Sequence, residues 1–94
     1  MSGQSLSSAA LDARRRRALT RAWRRGTREM DLLLGRFADA ELPSLAEPEL
    51  DAFERLLDLP DPALAAILVE GAPAPAGVSD GLLERMRALG LARR

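Results

Sequence analysis

Met30, Leu33, Leu34 and Phe37 stand at the i, i+3, i+4, i+7 spacing of one face of an α-helix. The same period returns in Leu50, Phe53, Leu56 and Leu57, and again in Leu82, Leu83, Met86 and Leu89. No alternating run is long enough for a strand, so the pattern restricts the chain to an all-α fold. Five helical segments can be read between the breakers. The first runs from Ser8 to Arg25, where Arg17, Arg21, Arg24 and Arg28 form a stripe opposite Leu19, Ala22, Trp23 and Met30. Within it, Arg14 to Arg17 encircle one turn, which predicts that this turn is solvated. The second helix covers Thr27 to Ala40 and is broken at Leu42-Pro43-Ser44. The third spans Glu47 to Leu59, with Pro48 tolerated in its first turn. Asp61-Pro62 predicts the start of the fourth, Asp61 as N-cap and Pro62 at the first helical position, and that helix ends near Gly71. Ala72 to Gly77 reads as a linker, and Ser79 as the cap of a fifth helix.

Short connections predict neighbouring helices packed roughly antiparallel, hence a compact five-helix bundle. Residues 14–94 are expected to form this single domain, preceded by a flexible segment over residues 1–13. A chain of 94 residues buries roughly 60–70% of its unfolded surface, enough for one modest core.

The side-chain inventory excludes much chemistry. Cys, His and Tyr are absent, which removes disulfides, thiolate metal sites and the usual general base near neutral pH. An enzyme is not expected. Net charge is zero, but its distribution is uneven. Residues 1–28 carry eight arginines against Asp12, residues 29–70 carry eleven acids against Arg36 and Arg55, and residues 71–94 are mildly basic. Such polarity steers partners more than it shapes a fold. No apolar run approaches the ~20 residues of a membrane span. The first 13 residues lack the apolar core of a secretory signal; Ser-rich leading into Arg-rich fits a presequence stub, and brevity fits a bacterial N-terminus. A cytoplasmic protein is expected, or a mitochondrial matrix protein if the source is eukaryotic.

The junction Arg24-Arg25-Gly26-Thr27-Arg28-Glu29-Met30-Asp31 joins the basic helix to the acidic, leucine-rich one. Helix-end electrostatics account for it structurally: Arg24 and Arg25 lie at the partially negative carbonyl end of the first helix. Glu29 and Asp31 lie at the partially positive amide end of the second, each placement contributing ~0.3–1 kcal/mol. Gly26 is read as ending or bending the first helix from a left-handed C′ position.

In its ordered blocks, however, the chain resembles the SdhE family, the small factors that promote covalent FAD attachment to the flavoprotein subunit of succinate dehydrogenase. The blocks are Arg25-Gly26-Thr27-Arg28-Glu29-Met30-Asp31, then Ala52-Phe53-Glu54-Arg55-Leu56-Leu57, then Asp61-Pro62-Ala63-Leu64, and the resemblance covers Arg14 to Gly71. It implies a five-helix bundle and places the partner-contacting motif on Arg25, Gly26 and Glu29 with Asp31 as a flank. Arg24 and Thr27 complete the expected contact surface. The position after the motif glycine is commonly Met and is Thr27 here; the Phe and Trp common in the fourth helix stand as Ala65 and Ile67. The resemblance further implies that a histidine of the flavoprotein bonds to the 8α-methyl carbon of FAD while the factor positions the two. Arg25 is then expected to offer its fork to a carboxylate or carbonyls of the partner, Gly26 to permit close approach, and Glu29 to pair with a partner cation or hold Arg25. FAD would belong to the flavoprotein, with no cofactor stably bound here and the free factor a monomer; fumarate reductase is a possible second client.

Two other readings compete. A small nucleic-acid-binding regulator of antitoxin type would use the Arg-rich first helix; against it stand the acidic body and three aromatics that fit core positions. A membrane-surface helix has only Leu19, Ala22, Trp23 and Met30 to bury, residues that a bundle would claim.

Overall fold

The computed structural model describes residues 11–91. It contains α1 (Ala13–Trp23), α2 (Arg28–Glu41) running into a 3-10 turn (Leu42–Ser44), α3 (Glu47–Leu57), α4 (Asp61–Leu68) and α5 (Asp80–Leu91). Among the described residues there is no strand. The fold is all-α.

α2 is the central element, packed along α1 on one side and α5 on the other. Its Leu34, Phe37 and Ala38 are fully buried, as are Leu50, Phe53 and Leu56 of α3 and Leu64 and Leu68 of α4. Leu82, Leu83 and Met86 close the core from α5. The periodic positions are thus the buried ones, except Leu89, which is half-buried at the edge of the core. Phe37 and Phe53 meet with ring centroids 5.4 Å apart and planes tilted by 43°, within the favourable range for an aromatic pair. No polar or charged residue is fully buried among those described.

The turn Arg14–Arg17 is not solvated all round. Arg14 reaches across to α3, where Nη1 donates to Glu47 at 2.9 Å, Nε and Nη2 to Glu54 at 2.9 and 2.8 Å, and Nη2 also to Asp51. Arg15 donates to the carbonyls of Leu42 (3.0 Å) and Leu45 (2.6 Å), satisfying backbone groups beside the 3-10 turn. Long guanidinium side chains lay their stems on the bundle while their heads find carboxylates and carbonyls. Arg85 likewise joins α5 to Glu41 (2.7 Å) and Glu49 (2.8 Å), and Arg87 caps α4 at the carbonyls of Ile67 (2.7 Å) and Leu68 (3.0 Å). The acidic start of α3 is therefore a set of counter-ions rather than a free solvated turn.

Element ends also differ from expectation. α1 stops at Trp23, two residues early; its expected start at Ser8 lies outside the described residues. Asp12 caps α1, accepting from the Arg15 N–H at 2.8 Å, and Leu11 is already buried, so packing extends ahead of residue 14. The N-cap of α4 is Pro60, not Asp61, whose carboxylate is committed elsewhere. Residues 69–79 form one long connection, not a free linker: Ala72 and Ala74 pack on the core and Val78 is buried. Ser79 does cap α5, its Oγ accepting from the Leu82 N–H at 3.1 Å.

Trp23 departs most from its expected place in the core. It is 36% exposed and covers Gly35 of α2; a Cβ on Gly35 would fall 2.3 Å from the indole ring. Its Nε1 donates to Asp39 at 3.2 Å. The aromatic is a lid over α2 because glycine leaves room for it there.

The Arg25–Gly26 junction as the candidate functional site

Arg24 is the C-cap of α1, its N–H still donating to the Arg21 carbonyl at 3.3 Å, and residues 24–27 then turn the chain into α2. Gly26 holds φ at 104°, a region that L side chains adopt only with strain, so glycine is required by the backbone alone. It sits beyond the C′ position of α1. Nothing lies within 4 Å of where its Cβ would be, so this backbone faces open space.

Arg25 turns the other way. Its side chain is only 12% exposed and its guanidinium is committed within the chain. Nε donates to Asp61 Oδ1 at 3.0 Å, Nη1 to the Leu57 carbonyl at 2.6 Å, and Nη2 to the Leu59 carbonyl. Leu57 is the last residue of α3 and Asp61 the first of α4, so one guanidinium caps α3 and ties it to α4. The Arg25 N–H donates to Asp31 Oδ1 at 2.7 Å, fixing the turn to the first turn of α2. Thr27 is the N-cap of α2 but makes no side-chain cap bond there; its hydroxyl approaches Asp61 Oδ2 at 3.4 Å.

The expected site residues thus divide in two. Arg25 and Asp31 are clamps. Arg24, Gly26, Thr27 and Glu29 are exposed, and the Glu29 carboxylate has no partner among the described residues. Asp61 and the carbonyls of Leu57 and Leu59 were absent from the expected set. The Asp-Pro signal had a ready reading as a helix cap, and no sequence pattern marks a carbonyl as an arginine's acceptor. Beside the turn, an open groove of about 370 Å³ runs between the start of α2 and α4. Its carboxylates are Glu29, Asp61 and Glu70, with no cation among the lining residues, so it does not suit the diphosphate of a flavin dinucleotide. Among the described residues, no group of three or more carboxylates is arranged for a metal ion.

A family model described as "Flavinator of succinate dehydrogenase" matches residues 16–89, the whole span from α1 into α5. The chain belongs to this flavinator family. It is 41% identical over 76 residues to the FAD assembly factor SdhE of Acetobacter pasteurianus, a match covering 81% of this chain and 70% of that one. It is 46% identical over 48 residues to the mitochondrial succinate dehydrogenase assembly factor 2 of Caenorhabditis briggsae, covering 51% and 39% of the two chains. The FAD assembly factor SdhE of Coxiella burnetii is 49% identical over 41 residues, covering 44% of this chain and 50% of its own. The matched stretch therefore spans half or less of these last two relatives. No solved structure matches. Like these flavinators as a family, the chain is an assembly factor, and no helix among the described residues is long and apolar enough to cross a membrane.

Proposed function

We propose that this chain binds the flavoprotein subunit of succinate dehydrogenase and promotes covalent attachment of FAD to it. The observation that carries the reading is the Gly26 turn: bare backbone at φ 104° with open space above it, anchored to the bundle through the preceding Arg25. A rigid, side-chain-free turn lets a partner's backbone approach closely, as a side chain there would not.

The division of labour within the motif follows from its bonds. Arg25 acts as the positioning residue, since its three guanidinium nitrogens are engaged with Asp61, Leu57 and Leu59. Glu29, exposed and without a partner among the described residues, is the group offered to a cation of the flavoprotein. Arg24 and Thr27 flank the contact.

The factor itself is not an enzyme: with no His or Cys it supplies no obvious group for the bond to FAD, and its contribution is positional. Holding histidine and flavin in near-attack geometry lowers a barrier by several kcal/mol with no reacting group on the helper. FAD stays with the flavoprotein, and the acid-lined groove supports that assignment. The free factor is a monomer without a nucleic-acid partner. It works where the flavoprotein matures, in the bacterial cytoplasm or the mitochondrial matrix.

In-gel flavin fluorescence of the denatured flavoprotein, prepared with and without this chain, tests the reading, because denaturation leaves only covalent flavin to fluoresce. Fluorescence that requires the chain supports it. Fluorescence indifferent to the chain overturns it.

A further inference from the structure

The groove between α2 and α4 is built differently from the rest of the surface. Its apolar walls are Met30 at the start of α2 and Pro62, Ala65 and Val69 along α4. Val69 is 56% exposed and is, with Trp23, one of two large apolar side chains exposed among the described residues. Ala65 is small and half-buried, so the groove has depth at its centre. Glu29 stands at one end and Glu70 at another, both exposed and neither carboxylate with a partner among the described residues; Asp61 is already neutralised by Arg25. The surface of α1 around Arg16, Arg17 and Arg21 has the opposite sign.

We propose that this groove is a docking site for a segment of the flavoprotein that carries an apolar side chain beside a Lys or Arg. This deepens the assembly reading above and rests on it. The apolar side chain seats against Met30, Pro62, Ala65 and Val69, and the cation pairs with Glu29 and Glu70. The groove is continuous with the Gly26 turn through Thr27 and Glu29, so one partner covers both without reorienting. Charge complementarity selects the occupant: with Asp61 paired to Arg25, the Glu29 and Glu70 carboxylates remain along the groove and no cation lines it, so an acidic segment is repelled and a basic one steered in. The apolar centre with a charged rim matches the anatomy of protein interfaces, in which a few well-packed side chains dominate affinity.

The test is calorimetric titration of the full chain into the purified flavoprotein subunit lacking covalent FAD. Ala65→Trp places an indole at a half-buried position that lines the groove, and circular dichroism of the variant confirms that the bundle is intact before binding is compared. Glu70→Arg reverses the rim charge at an exposed site, where folding is not at stake. Ala65→Trp is expected to weaken binding by roughly tenfold or more, as loss of a central anchor does. Glu70→Arg is expected to weaken it by roughly fivefold at low salt, the difference shrinking as ionic strength rises. Both variants binding within about twofold of wild type, while Gly26→Arg loses binding, overturns the groove proposal and leaves the assembly reading standing. Weakening by Ala65→Trp alone overturns the cationic occupant. If the wild-type chain itself fails to bind the flavoprotein, the assembly reading falls and the groove proposal with it.

Discussion

Arg25 and Asp61, 36 positions apart in sequence, meet at 3.0 Å where α3 hands over to α4. Both partners are mostly buried, with 28% of the Asp61 and 12% of the Arg25 side chain exposed. Around it the guanidinium also takes the Leu57 and Leu59 carbonyls, so the residue preceding Gly26 is anchored to a part of the bundle distant in sequence.

Arg25→Ala should therefore destabilise the fold as well as the site. It leaves two carbonyls and a carboxylate without their donor, and hydrogen bonds to a charged group contribute about 1.5–3 kcal/mol. The urea midpoint should fall accordingly, with Asp61→Asn losing less because the carbonyl bonds survive. Arg25→Lys should not restore wild-type stability, since one ammonium cannot reproduce a fork aimed at three acceptors. An unchanged midpoint in Arg25→Ala would show the clamp to be idle.

Gly26→Arg is expected to keep its helical circular dichroism and lose flavinylation. The fold cost is that of holding an L residue at φ 104°, about 1–2 kcal/mol, because no atom lies within 4 Å of the added Cβ. A D-alanine placed at residue 26 by chemical synthesis separates the two effects. It should recover the stability lost in Gly26→Ala, because D residues favour positive φ. Failure of that recovery would place the cost elsewhere than in the backbone.

Gly35→Ala should dislodge Trp23. The new methyl would sit 2.3 Å from the indole, and the ring, already at the surface, has solvent to swing into. Trp23 is the single tryptophan of the chain, so its emission should shift to the red and become easier to quench with acrylamide. Stability is the poorer readout, since better helix propensity offsets up to about 1 kcal/mol of the lost contact. Unchanged emission would contradict the packing of Trp23 on Gly35.

Acid should loosen the α1–α3 seam. The Arg14 guanidinium, bonded to Glu54, holds the Glu54 carboxyl below its ordinary value of 4.5, against the opposing effect of burial. A carboxylate with a depressed folded pKa contributes stability that is present above the unfolded value and lost as pH falls through the folded one. The urea midpoint should thus decline as pH drops below about 4.5, and Glu54→Gln should flatten that decline. An equally steep decline in the variant would assign the acid sensitivity to other groups.

Much of the bundle was legible because a helix buries one face, and burial writes a 3.6-residue period into the chain. Leu33, Leu34 and Phe37, or Leu50, Phe53 and Leu56, need no tertiary knowledge to be placed inside. The Ser79 cap was legible for the same local reason: donor and acceptor lie three residues apart. Gly26 could be read as needing a left-handed backbone, though it stands past the helix end and not at its C′ position. Asp61 was misread as a cap because a local rule offered it a partner before the distant Arg25 could be seen.

By itself, then, the sequence determined what depends on neighbours along the chain: five helices, their apolar faces, one cap and a glycine turn within a family motif. Only the tertiary structure decided which arginines turn inward, that Arg25 is a clamp while Glu29 is offered outward, and that Trp23 lies over Gly35. It also decided that α2 and α4 enclose an acid-rimmed groove beside the turn. The physical reason is reach. An arginine side chain spans several ångströms and takes any carboxylate or carbonyl that the fold brings near, so its partner, unlike a leucine's burial, is set by packing between segments rather than by spacing within one.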